Sequence, residues 1–194
     1  MKCECGNEHC SIRLYRDMFI KPDLSKLKKS HHFKIIQKFY SNLETDFNAL
    51  YSEHIKKAKA RGNRTFASKI FQKNLKAAVE AMGKTVEQEK DILSKSYTDF
   101  LKTKRIDLFV NRKMAVEIKT WIEFNHLGAA YLEAMVCSFE KFFIAGLSTI
   151  PKNYLKLREL VKKTGMISDV VVFNPKIEGF EEGVLGFFDA IARA

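Results

Sequence analysis

The sequence predicts an α/β protein: a three-layer αβα arrangement around a mixed sheet of four or five strands, preceded by a basic helical N-terminal segment. Three observations lead there. From Phe33 to Met82 apolar residues recur at steps of three and four, which is a helical period. From Ile106 the period falls to two over a pair of short runs joined by Asn111–Arg112–Lys113, which reads as a hairpin. Beyond it, helical and strand patterns alternate, and such alternation implies parallel crossovers with helices packed on a sheet. At ~150 residues per domain, the 194 residues make one core with an appendage. The expected division is 1–64 as a basic helical segment packed on the core and 65–194 as the core itself.

Taken in order, Phe33, Ile36, Tyr40, Leu43, Phe47, Leu50, Ile55 and Ala58 mark one long amphipathic helix, with Ser30 placed to cap it and Gly62 to end it. A second helix carries Phe66, Ile70, Phe71, Leu75, Val79 and Met82 and stops at Gly83. The hairpin strands are Arg105–Val110 and Met114–Thr120. A helix through Leu127, Tyr131, Ala134 and Met135 follows, then the apolar run KFFIAGL as a strand. Pro151 opens another helix, with Leu155, Leu157, Leu160 and Val161, which Gly165 ends. SDVVVF is the last strand, stopped by Asn174–Pro175.

Apolar residues make up 46% of the chain and charged residues 29%, with Gly 9 and Pro 3, which excludes disordered, collagen-like and low-complexity classes. No apolar run approaches the ~20 residues that cross a bilayer. The start MKCECGNEHC lacks the apolar stretch of a secretory signal, so an intracellular, cytoplasmic globule with no membrane partner is expected. The net charge of +11 lies wholly in the first half: residues 1–105 hold 23 basic and 12 acidic side chains, residues 106–194 hold 11 of each. Such asymmetry points to a polyanion such as DNA. Lys56, Lys57, Lys59, Arg61 and Arg64 crowd a helix end and are the candidate phosphate contacts. The long helical stripe is most simply core, although its near-heptad spacing also suits a homodimer.

Four cysteines are too few for a disulfide scaffold. Cys137 reads as a core thiol. Cys3, Cys5, His9 and Cys10 are soft ligand types suited to zinc, but their spacing is not that of a zinc knuckle and no second pair follows. The sequence therefore reads as a terminus without bound metal. His31 and His32 read as surface residues, and Trp121 as a ring packed under the next helix.

The hairpin carries the chemistry. Alternation puts Ile106, Leu108 and Val110 on one face of the first strand, and Met114, Val116 and Ile118 on one face of the second. For both triplets to be buried together the loop must hold an odd number of residues, and three is a common length. Val110 then faces Met114 and Asp107 lies opposite Glu117, with Lys119 two residues further on the same face. Opposed carboxylates destabilise a strand pair, and a divalent cation turns that repulsion into a site. Mg²⁺ prefers oxygen ligands and takes one or two carboxylates plus waters and phosphate. Asp107, Glu117 and the carbonyl of Ile118 would supply the protein oxygens, with Lys119 orienting or deprotonating a water.

Asp107, nine intervening residues and Glu117-Ile118-Lys119, inside a hairpin followed by a helix and an apolar strand, resemble the PD-(D/E)XK nuclease superfamily with its restriction-endonuclease-like fold. The likeness spans about residues 65–175. It implies Mg²⁺-dependent hydrolysis of phosphodiester bonds, usually in DNA, with Mn²⁺ able to substitute. Asp107, Glu117 and Lys119 would be the catalytic residues, and Asp107, Glu117 and the Ile118 carbonyl the metal ligands. Some relatives place a Glu on the first core helix. Glu80, the one acid there, is thus a further candidate ligand. Ile106 replaces the motif proline, and Leu127 stands where RecB-like members carry Gln, which argues against a RecB-type exonuclease. The expected function is a DNA endonuclease. The alternative is a catalytically inactive DNA-binding module that keeps the nuclease fold, and a purely structural helical protein is the third reading.

Overall fold

The computed structural model describes residues 10–56, 64–93, 103–137 and 139–194. The helical period of the first half becomes α1 (Ser11–Phe19), α2 (Phe33–Lys56) and α3 (Arg64–Glu80). Ser30 Oγ accepts the His32 N–H at 3.0 Å just ahead of α2. Gly83, at φ +78, carries the left-handed turn that ends α3. Gly62 lies outside the described residues. Helix α1 was not anticipated.

Five strands follow: β1 (Val86–Leu93), β2 (Thr103–Val110), β3 (Met114–Ile122), β4 (Lys141–Thr149) and β5 (Asp169–Val172). They lie in the order β1-β2-β3-β4-β5. The first two pairings are antiparallel and the last two parallel, so the sheet is mixed, as expected. Helices α4 (Phe124–Val136) and α5 (Pro151–Thr164) are the crossovers, and α6 (Phe180–Arg193) closes the chain. Both crossovers advance in one direction across the sheet, so both helices land on one face.

Two apolar layers result. On one face, residues of α1, α2, α3 and α6 pack against Leu108, Val110, Val116, Ile118, Phe143 and Phe173. On the other, Leu127 and Ala130 of α4 and Tyr154, Leu157 and Val161 of α5 cover Ala115, Ile144, Val170 and Val172. The arrangement is αβα. The stripe of α2 is consumed inside the chain: Ile36, Tyr40, Leu43 and Phe47 are fully buried, and Tyr40 Oη donates to the Phe173 carbonyl at 2.9 Å. That stripe is therefore not a free surface for a second copy.

Several expected core positions are exposed. Phe66 at the start of α3, Met135 on α4, and Leu155 and Leu160 on α5 all face outward. A sheet covers only a narrow arc of each helix, so Tyr154 and Leu157 take the buried arc of α5 and their neighbours do not.

Candidate functional site

The hairpin register is the predicted one where the ladder is regular: Val110 pairs with Met114, Phe109 with Ala115 and Leu108 with Val116. Asn111 and Arg112, at φ 48 and 57, make the turn. Asn111 Oδ1 also accepts the Thr85 N–H at 2.9 Å. The described ladder pairs stop at Leu108, one residue short of Asp107, so the expected Asp107–Glu117 pair lies just beyond the regular ladder. There Asp107 Oδ2 itself accepts the main-chain N–H of Ile118 at 2.6 Å. A side-chain carboxylate oxygen, not a strand carbonyl, thus receives the N–H of the residue after Glu117.

The same break corrects the face assignment of Ile106. Leu108 and Val110 pack under α3 and α6, whereas Ile106 packs in the opposite layer with Leu127 of α4. The distortion crosses the sheet. On β1, Glu89 lies between the pairs Gln88–Leu108 and Lys90–Ile106, and its φ is +49. A non-glycine residue there costs roughly 1–2 kcal/mol. On β3, Ile122 has joined the α4 layer while Trp121 packs, partly buried, on the other side. Gly146, the β4 partner of Lys119, makes this possible. A Cβ at Gly146 would collide with the side chain of Ile122.

Helix α3 holds the broken strand. Gln72, a buried residue, donates from Nε2 to the Asp107 carbonyl at 3.0 Å. Sequence reasoning passed over Gln72, because a lone amide beside an apolar helical stripe carries no pattern. On the next strand, Glu117 is only 8% exposed, and its Oε1 accepts from Lys119 Nζ at 2.8 Å. Asp107 is thus joined to the main chain of Ile118, and the two residues flanking Ile118 are joined to each other through the Lys119–Glu117 pair. Carboxylates and main-chain carbonyls are hard oxygen donors, the kind a cation such as Mg²⁺ takes and soft metals do not favour.

Glu80 is not brought into this group. It is exposed, near the C-terminal end of α3, and is bridged to Lys76 at 3.0 Å. Among the described residues no three acidic, histidine or cysteine side chains form a metal cluster. Of the candidate phosphate contacts, Lys56 is exposed at the end of α2. Lys57, Lys59 and Arg61 lie outside the described residues, as does the side chain of Arg64. Exposed Lys69 and Lys73 on α3 add to the basic character of this side. Cys137 is buried, as expected. No helix among the described residues is long and apolar enough to cross a membrane.

No family model matches the chain, and no curated protein matches it. Among solved structures it is similar to "Metal-depleted Ecl18kI in complex with uncleaved, modified DNA", at 16% identity and a TM-score of 0.41, over 88% of this chain and 59% of that one. A second structure, "Metal-depleted Ecl18kI in complex with uncleaved DNA", gives the same identity and score over 94% and 62%. The chain spans about three fifths of the length of these structures. The αβα architecture rests on the strand order and the two packed layers.

Proposed function

We propose that this protein is a magnesium-dependent DNA endonuclease of PD-(D/E)XK type. The observation that carries the reading is the pair of contacts where the β2–β3 ladder opens, Asp107 with the Ile118 N–H and Lys119 with Glu117, with Glu117 buried. An ornamental salt bridge on a solvated strand would leave its carboxylate in water. Burying a carboxylate costs several kcal/mol before its partner offsets any of it, and the broken ladder and the strained Glu89 add to that cost. Strain of this kind collects at functional sites.

Each residue has a definable part. Asp107 is oriented by the Ile118 N–H and Gln72, so its carboxylate is held before any ligand arrives. Glu117 presents a second carboxylate from the neighbouring strand. A bound Mg²⁺ would polarise a phosphate oxygen and acidify a water. Lys119 Nζ lies beside this donor set, where it orients the attacking water and offsets charge developing on the phosphate. The basic first half of the chain, Lys56 included, supplies phosphate contacts that position DNA without reading bases.

Plasmid nicking in Mg²⁺ or Mn²⁺ tests the reading. We expect cleavage by the wild type and a loss of at least ~10²-fold in Lys119→Ala and Asp107→Asn, with DNA retained by both variants at low salt. Salt-sensitive binding with no cleavage in either metal replaces the enzyme with the inactive DNA-binding module. Absence of salt-sensitive binding removes both.

A further inference from the structure

Two features outside the hairpin stand apart from the core. In the first, Cys10 Sγ and His54 Nε2 meet at 3.5 Å. Cys3, Cys5 and His9 lie outside the described residues, so that contact defines no metal site. The second is α4. Its inner arc, with Leu127 and Ala130, is buried against the sheet. At about 3.6 residues per turn, its outer arc holds Phe124, Met135, Gly128, Leu132, Asn125 and Ala129, all of them exposed. Phe124, Leu132 and Met135 are 48, 60 and 64% exposed. Asn125 is the one polar side chain among the six, and none is charged. A helix apolar all round is ordinarily buried all round.

We propose that the outer face of α4 docks a second copy of this chain, α4 against α4 about a two-fold axis. Charge is the first argument. The chain carries +11, so two copies repel wherever their basic surfaces meet. Among the described residues α4 is the one α-helix without a lysine or arginine. An axis placed there sets no like charges of the two helices against each other.

Shape is the second argument. A Cβ on Gly128 would meet no atom within 4 Å, and Leu132 stands one turn along the same face. Antiparallel packing of two such helices seats Leu132 of each copy over Gly128 of the other. Phe124 and Met135, at opposite ends of the face, then come together across the axis. Self-complementarity of this kind is what an isologous contact requires. Extent is the third argument, and it sets the strength. The 13 residues of α4 span ~20 Å, so the face falls short of the ~800 Å² per partner of a standard interface. The dimer is therefore reversible, with a Kd on the order of 10 µM.

Sedimentation equilibrium of the full chain, over a hundredfold range of concentration, tests the contact. We expect a monomer–dimer equilibrium that tightens several-fold as salt rises, because screening removes the repulsion and leaves the apolar contact. Leu132→Lys and Leu132→Glu should each weaken the dimer at least tenfold, and a mixture of the two should associate more tightly than either alone. Leu14→Lys, at an exposed leucine of α1, should leave it within about twofold. Unchanged urea midpoints in dilute solution check that the variants fold, and the salt series on the wild type needs no variant. A wild type that stays monomeric at every concentration overturns the proposal and leaves the face to a different protein. A dimer that loosens as salt rises, that survives Leu132→Lys, or that fails equally in Leu14→Lys also overturns it. A mixture no tighter than its components overturns the two-fold. None of these readouts depends on nuclease activity.

Discussion

Asp107 has two duties that substitution can separate. Its carboxylate closes the gap in the ladder through the Ile118 N–H, and in the proposed function it also holds a cation. Asn keeps an acceptor oxygen and loses the charge, whereas Ala loses both. A charge-assisted hydrogen bond is worth about 1.5–3 kcal/mol. Asp107→Ala should therefore lower the urea midpoint by that equivalent and Asp107→Asn by clearly less, while both abolish cleavage. Equal destabilisation would show that a neutral acceptor at this position restores nothing. Gln72 acts one step removed. Gln72→Ala leaves the Asp107 carbonyl without its amide donor, and we expect a loss of ~1–3 kcal/mol in chemical denaturation. A fall in kcat with KM nearly unchanged would mark Gln72 as a positioning residue rather than one of stability alone.

The bend of β3 depends on an absence of atoms. Ile122 lies where a side chain on β4 would stand, and only glycine at position 146 leaves the room. Gly146→Ala should cost ~1–3 kcal/mol by overpacking. Ile122→Ala makes a cavity on its own, and combining the two should restore part of the loss. A double-mutant cycle in denaturant measures that coupling, and strict additivity would mean that the two positions do not collide. Strands β4 and β5 behave differently. Phe143 and Ala145 on β4, and Val171 on β5, face the α2 side, while Phe142, Ile144, Val170 and Val172 face the α5 side, so alternation is unbroken there. The irregular half of the sheet is the half that carries the acidic residues.

The two helical layers are tied through the sheet's far edge by an ionic network of buried Arg158 and Asp169 with exposed Glu182. Arg158 of α5 donates from Nε and Nη2 to both carboxylate oxygens of Asp169 on β5, at 2.9 and 2.5 Å. Its Nη1 reaches Glu182 of α6 at 3.3 Å. Burial opposes the Arg158 charge, and the bonds to Asp169 more than offset this, so its pKa stays above the usual arginine value. Arg158→Met strands Asp169, which is 8% exposed, and should destabilise by about 3–5 kcal/mol. Beside this pair, Tyr154 Oη accepts the Val172 N–H at 3.2 Å. Burial pushes the Tyr154 phenol up from 10.0 to about 12, and burial also raises Tyr40. A raised folded pKa means that the unfolded chain loses its proton first. The stability from Tyr154 is thus complete below pH 10.0 and declines between 10.0 and about 12. Denaturation midpoints should fall steeply over that window, and a flat profile would contradict the burial of these phenols.

Sequence alone determined the class of the fold, because hydrophobic period is a local property. The helix from Phe33, the helix through Leu75 with its stop at Gly83, the helix from Pro151 with its stop at Gly165, the odd-numbered hairpin loop and the Val110–Met114 register all follow from residues close along the chain. Strand β1 escaped because VEQEKDIL, on the sheet's edge, shows no apolar alternation. Helix α6 escaped although its apolar residues recur at helical spacing, since nothing upstream of it required another helix. The acidic residues and Lys119 were legible as types and spacing; their arrangement was not. Period-two reasoning assumes an unbroken ladder, and this ladder breaks at Asp107. What opens it are contacts between distant positions: Gln72 with Asp107, and Ile122 across Gly146. The meeting of Cys10 with His54 is of the same kind. Only the packing of helices α1 to α3 on each other and on the sheet, and the pairing of β3 with β4, bring such pairs together, and no local pattern encodes it.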